Sequence, residues 1–232
     1  MAISFLADLA RLFYPQRCVG CGADLSSGSV SPLCLICFNE MPRTGFAGVA
    51  SNPVEKIFFG RLPLLFAHSE LYFSKSGIVQ QMIHELKYRG NKEMGEFMGR
   101  LIGQSLEGGH GTACCDYLVP LPLHPSKLFR RGFNQAEVIC NGISSRTGIP
   151  VLNNHVSREK FTETQTRKKR TERWKNVDGS FSVKDENSLH GKRLLLVDDV
   201  LTTGATLEAC GRALLQMPGI QLAIATLAYA SK

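Results

Sequence analysis

Arg193-Leu-Leu-Leu-Val-Asp198-Asp199-Val200-Leu201-Thr202-Thr203-Gly204-Ala205-Thr206-Leu207 is the stretch that decides the fold. Four consecutive apolar residues, Leu194–Val197, read as a fully buried strand of the kind found in parallel sheets. Two carboxylates stand at its C-terminal end, and a short Thr/Gly loop then opens a helix over Ala205–Met217. In an open parallel sheet, ligands bind at the carboxyl ends of strands. A helix N-terminus presents N–H groups and a positive dipole end, which suits a phosphate. Gly204 lets the backbone approach closely, and the Thr202, Thr203 and Thr206 hydroxyls can donate to phosphate oxygens. Two aspartates would repel that phosphate if both faced it. They make sense as acceptors for sugar hydroxyls, and together these parts describe a cradle for a ribose 5-phosphate. The alternative is a plain strand–turn–helix in which Asp199 and the threonines cap the helix.

Outward from this stretch, strands alternate with helices. Leu62–Ala67 and Leu71–Phe73 read as extended segments around a turn. Ile78, Val79, Met82, Ile83 and Leu86 mark one face of a helix ending near Tyr88, with Gly90 after it. Met94, Phe97, Met98, Leu101 and Ile102 mark a second helix. Tyr117–Leu121 is a short strand running into Pro122. Phe133 to Arg146 reads as a helix, and Gly148 suits its C-terminal cap. Ile220–Tyr229 is a closing strand. This order predicts an α/β fold, a mainly parallel sheet flanked by helices. The composition agrees: 232 residues, 44% apolar and 20% charged, describe a folded globular chain. No apolar run is long enough to cross a membrane as a helix. The net charge of +7 calls for an anionic ligand or partner.

Ahead of this body lie Cys18-Val-Gly-Cys21 and Cys34-Leu-Ile-Cys37, two C-x-x-C knuckles with twelve residues between them. Each turn presents two thiolates to one tetrahedral ion, and the second knuckle closes the shell. The alternatives are two disulfides or a redox pair. A reducing compartment and a segment with almost no core of its own favour zinc. Four thiolates leave no open position, so Cys18, Cys21, Cys34 and Cys37 predict a structural metal site. Cys114, Cys115, Cys140 and Cys210 read as small buried apolar residues. Residues 1–13 carry Phe5, Leu6, Leu9, Leu12 and Phe13 at helical spacing, an amphipathic helix without a basic leader. A cytoplasmic protein is expected, with the inner face of the membrane as the alternative location.

The Arg193–Leu207 block resembles the phosphoribosyl-pyrophosphate (PRPP) signature of type I phosphoribosyltransferases. With four cysteines ahead of it, Val119-Pro-Leu-Pro-Leu-His124 and Arg131-Gly-Phe-Asn-Gln135 between, and Leu86-Lys-Tyr-Arg89 and Gln165…Arg170…Arg173…Asn176-Val as further marks, the chain is similar to the ComF family over nearly its whole length. The resemblance implies a type I phosphoribosyltransferase fold with a small N-terminal zinc ribbon. The expected division is a zinc-ribbon unit over 14–48 and a phosphoribosyltransferase-type domain over 55–232, joined by a turn-rich linker. It implies PRPP bound with Mg²⁺ at Asp198, Asp199, Val200, Leu201, Thr202, Thr203, Gly204, Ala205 and Thr206, with Asp198 and Asp199 as the catalytic candidates. Phosphoribosyl transfer with release of pyrophosphate is the implied activity, in a DNA-uptake context.

Two basic elements are candidates for the pyrophosphate. One is the loop Pro122–Gly132, with Pro122, Leu123, His124, Lys127, Arg130 and Arg131. The other is Arg158–Lys175, with Arg167, Lys168 and Arg170, where eight Lys/Arg against three acids leave a net +5. It stands where such enzymes carry a loop that closes over the reaction and excludes water. His124 serves either ligand or local structure. The alternative function is a non-catalytic module that binds single-stranded DNA through Arg167, Lys168, Lys169, Arg170 and Arg173, with Trp174 stacking on a base or packing beneath the loop. In that case PRPP is a regulator or a vestigial ligand; a further alternative is a structural adaptor that docks to a competence helicase or membrane channel through the zinc unit.

Overall fold

The computed structural model describes residues 16–26, 29, 31–110, 115–158, 181–184 and 189–231. The expected helix over 1–13, Cys114, and the basic residues Arg167, Lys168, Lys169, Arg170 and Arg173 with Trp174 lie outside the described residues. The elements are α1 (Leu35–Asn39), α2 (Pro53–Phe58), β1 (Ala67–Tyr72), α3 (Ile78–Tyr88), α4 (Lys92–Gly109), β2 (Tyr117–Pro120), α5 (Pro125–Arg131), α6 (Gln135–Thr147), β3 (Val156–Arg158), β4 (Phe181–Val183), β5 (Arg193–Leu201), α7 (Ala205–Leu215) and β6 (Gln221–Tyr229).

Leu194, Leu195, Leu196 and Val197 are fully buried, as a central strand covered on both faces requires. β5 pairs in parallel with β6 and with β2, and β1 pairs in parallel with β6, giving the order β1-β6-β5-β2. On one face, Met82 and Leu86 of α3, Met98 and Ile102 of α4, and Ile139 and Ile143 of α6 pack with Leu195, Val197, Ala223 and Ala225. On the other, Val54 and Phe58 of α2 and Leu207, Cys210 and Leu214 of α7 pack with Leu194, Leu196, Leu222 and Ile224. α4 and α6 cross backbone on backbone: a Cβ at Gly99 would lie 2.1 Å from the Ile139 carbonyl oxygen, and one at Gly142 2.2 Å from that of Glu96. Only glycine permits that approach. The antiparallel pair β3–β4 forms a separate two-stranded sheet.

Four expectations need correction. β5 does not stop at Val197; its ladder with β6 continues through Asp198, Val200 and Leu201. The acidic pair is therefore part of the strand. Of the extended segments expected around a turn, Leu62–Ala67 enters a strand only at its last residue, and residues 68–70, expected as the turn, lie inside that strand, β1. The polar residues that suggested a turn are buried with partners: the Ser69 and Thr226 hydroxyls bond each other, and Glu70 pairs with Arg43 at 2.6 Å. The segment Pro122–Gly132 contains a seven-residue helix, α5, with Pro125 in its first turn. The helix expected from Phe133 begins at Gln135 because Asn134 caps it, its side chain accepting from the Ala136 N–H at 3.1 Å.

Candidate functional site

The candidate metal centre is built by two tight turns brought face to face. α1 starts directly after Cys34, whose sulfur accepts from the Cys37 N–H at 3.5 Å. The four sulfurs lie within 4.8 Å of one another, and Cys21 Sγ is 3.7 Å from Cys34 Sγ. A tetrahedral ion with Zn–S near 2.3 Å would set its sulfurs roughly 3.8 Å apart, whereas a disulfide needs about 2.05 Å. The thiols are unbridged and the donor set fits zinc. Burial resists ionisation of Cys18, but N–H groups of Cys34, Cys21 and Gly20 aimed at its sulfur outweigh it and hold the thiol down to about 6. Burial, together with the neighbouring thiols, pushes Cys37 up. Zinc held here would supply cross-linking rather than reaction chemistry.

The unit is seated on α3 and α4. Cys18, Leu33, Cys37 and Met41 share one core with Val79, Met82 and Ile83. A Cβ at Gly20 would lie 2.6 Å from Ile78 Cδ1. With its nitrogen turned to the knuckle, the Gln81 amide donates to the carbonyls of Val19 (3.1 Å) and Gly20 (2.9 Å). Toward the end of the unit, the Tyr72 N–H donates to the Pro42 carbonyl at 2.8 Å and the Thr44 N–H to the Glu70 carbonyl at 3.0 Å. Residues 42–44 thus lie as an edge on β1.

The second centre stands at the carboxyl end of β5. Successive side chains of a strand project to opposite faces. Asp199 meets Lys87 of α3, with Nζ 2.6 Å from Oδ2. Asp198 lies toward α7, where its charge and, above all, burial push the Cys210 thiol up. Asp198 Oδ1 accepts from the Asp199 N–H at 2.8 Å. Burial first, and then the charge of Asp199, push the Asp198 carboxyl up to about 7, while the Lys87 and Lys127 ammoniums pull against them.

The loop after the acidic pair is held from below. Gly204 is buried with φ +76°, and a Cβ there would be 2.9 Å from the Phe58 ring and 3.0 Å from Ile57 Cγ2. Arg61 donates to the Thr203 carbonyl at 3.3 Å and pairs with Glu208 of α7. Thr202, Thr203 and Ala205 are exposed and Thr206 is half-buried, whereas Leu201 is buried and Val200 half-buried. Gly204 is the N-cap of α7 and offers no side-chain acceptor to its first turn.

Of the basic candidates beside β2, Lys127 is exposed and its charge reaches Asp198. Arg130 is exposed. Arg131 is turned away, donating to Gln135 Oε1 at 2.7 Å and lying over the Tyr88 ring. His124 caps α5, with Nδ1 2.7 Å from Ser126 Oγ, so the structure gives it a local role. Pro122 and Leu123 line a cavity of about 230 Å³ with Asn134, Asn153 and Arg158. Sequence reasoning missed Lys87, Ile57, Phe58 and Arg61. Only Lys87 had a signal, the Leu86-Lys-Tyr-Arg89 mark, and no chemistry had been attached to it.

Residues 133–232 match the phosphoribosyl transferase domain model. The chain is 26% identical over 220 residues to Competence protein F of Haemophilus influenzae, covering 90% of this chain and 94% of that one. It is 28% identical over 209 residues to Competence protein ComFC of Bacillus subtilis, covering 86% and 78%. It is 31% identical over 140 residues to DNA utilization protein YhgH of Escherichia coli, covering 58% of this chain and 60% of that protein. Among the described residues, no helix is long and apolar enough to cross a membrane.

Proposed function

We propose, from the premise that the chain is a ComF-family, phosphoribosyltransferase-like protein, that it binds PRPP with Mg²⁺ and transfers the phosphoribosyl group to a nucleophile. The carrying observation is the carboxyl end of β5, where an acidic pair leads directly into a glycine-capped helix start. The first-turn N–H groups of α7, with the Thr202, Thr203 and Thr206 hydroxyls, are the assigned 5′-phosphate ligands. Asp198 is assigned to the ribose hydroxyls. Mg²⁺ would be held mainly by ligand oxygens and water, and it would offset the charge of the leaving pyrophosphate. Lys127 and Arg130 are the described cations assigned to pyrophosphate, together with Arg167, Lys168 and Arg170.

In the proposed reaction the acceptor forms a bond to ribose C1. The C1–O bond to pyrophosphate breaks, and its electron pair leaves with pyrophosphate. The acceptor's proton passes to a carboxylate, for which Asp198, raised to about 7, is the candidate. We divide the chain into a zinc-ribbon unit over 14–48 and a phosphoribosyltransferase-type domain over 55–232. A pyrophosphate-release assay against a panel of nucleophiles, single-stranded DNA included, tests turnover. Release that depends on one acceptor and is lost in Asp198→Asn supports transfer; binding of PRPP without release from any acceptor contradicts it.

The names of the relatives and the net charge of +7 favour a second reading, a single-stranded-DNA-binding module in a DNA-uptake context with PRPP as regulator. DNA affinity should then fall steeply with salt and weaken when Arg167–Arg170 are neutralised. A flat salt response removes this reading.

A further inference from the structure

Lys87 closes α3 on the side of the sheet opposite α7. Its ammonium is 2.6 Å from Asp199, and the two side chains are only 17% and 12% exposed. A pair this dry is costly to form and costlier to break, because removing one partner strands the other charge away from water. The lysine rides on a rigid base, since Val79, Met82 and Leu86 of the same helix are wholly buried. Its partner is next in sequence to the carboxylate proposed to meet the ribose. Without a cation, Asp198 and Asp199 would stand as two adjacent negative charges at the mouth of a site meant for a polyanion.

We infer that Lys87 is a positioning residue of the phosphoribosyl site: it fixes Asp199 toward α3 and cancels its charge, so that Asp198 alone of the acidic pair faces the ligand. The inference rests on the PRPP reading of the site. It assigns the two aspartates different roles, Asp198 touching the sugar and Asp199 acting as a tether for the strand end. A direct role for Lys87 on pyrophosphate is disfavoured by its geometry, since its ammonium is already engaged by Asp199. The charged groups acting on Asp198 are Asp199 on its own strand, Lys87 of α3 and Lys127 of α5; its own charge acts in turn on Cys210 of α7, which Arg158 of β3 also influences. Removing Lys87 takes away one of the two cations among the described residues that favour the ionised form. The proton of the acidic pair should then be held to higher pH, and PRPP should bind less tightly at neutral pH.

The test is carried out on the full-length, metal-loaded protein. The ionisation midpoint of the acidic pair is followed by ¹³C-carboxylate NMR without ligand, and affinity by titration with PRPP and Mg²⁺. Lys87→Met is expected to raise the midpoint by about one pH unit and weaken PRPP about tenfold or more. Lys87→Arg, which keeps the charge, should move both back toward wild type. A folded Lys87→Met with midpoint and affinity both unchanged overturns the inference. Should Lys87→Met fail to fold, Lys87→Met/Asp199→Asn removes both charges and carries the test. Its PRPP affinity is expected to lie within about threefold of Asp199→Asn alone, because Lys87 acts through Asp199. A larger further loss means that Lys87 touches the ligand directly, and it too overturns the inference. If wild type does not bind PRPP, the functional reading fails, while the ligand-free midpoint still decides the positioning role.

Discussion

The four-cysteine unit and the acidic strand end contact the same helix, yet they are held by different forces. At one end of α3, Ile78 and Gln81 seat the cysteine knuckle; at the other, Lys87 pairs with Asp199. Lys87 is six positions after Gln81, about 9 Å along a helix. The knuckle contributes few apolar side chains, and the proposed zinc would cross-link its thiolates. The strand end is held by burial, with Leu196, Val197 and Leu201 at or below 1% exposure. The contrast sets a region whose order is proposed to depend on a metal against one whose order depends on the core, with α3 touching both.

Metal removal is the strongest attack on this contrast. Zinc contributes on the order of 10 kcal/mol to small all-metal units. Chelation, or Cys37→Ser, should abolish hydrogen-exchange protection over 16–41 and leave that of β5 and β6. PRPP affinity should drop several-fold through α3. Protection of the knuckle unchanged in metal-free protein would erase the distinction.

Acid attacks the sheet instead. His68 of β1 is buried beside the stacked rings of Phe66 and His110, with neither ring nitrogen bonded among the described residues. Burial, aided by His110, lowers its pKa to about 3. The unfolded chain therefore takes up this proton first, so the contribution is complete above about pH 6.5 and is lost as pH falls toward 3. Roughly 3 kcal/mol should go by pH 4, and His68→Leu should flatten that slope in denaturant titrations. An equally steep slope in the variant would exclude His68 as its source.

Gly204→Ala strikes the loop, where positive φ and the Phe58 ring both oppose a Cβ. A loss of about 2 kcal/mol in stability is expected, with PRPP binding weakened beyond tenfold. Unchanged binding would mean that the loop does not hold the ligand. Arg61→Ala is the mildest change. Arg61 is 37% exposed, so under about 1 kcal/mol should be lost, with a two- to threefold fall in PRPP affinity.

Much of this was legible because local chemistry decided it. Leu194–Val197 could only be a buried strand, Gly148 does take the left-handed cap of α6, and the two C-x-x-C turns do converge. What escaped was set at a distance. Asp198 and Asp199 interrupt an apolar run, so the strand looked finished, yet it continues to Leu201 along β6, with Asp199 neutralised by a lysine over a hundred residues earlier. β1 hid for a similar reason: Ser69 and Glu70 look like turn residues until Thr226 and Arg43 supply their partners. In the buttress of the loop, Ile57 and Phe58 come from a short helix whose local mark is its Asn52-Pro53 start, and Arg61 from the turn after it.

The central claim is that the end of β5 binds PRPP. Isothermal titration of the zinc-loaded protein with PRPP and Mg²⁺ tests it most directly. Saturable one-to-one binding is expected, weakened at least tenfold in Asp198→Asn and measurably in Thr206→Val. No binding by the wild type, or equal affinity in Asp198→Asn, would contradict it.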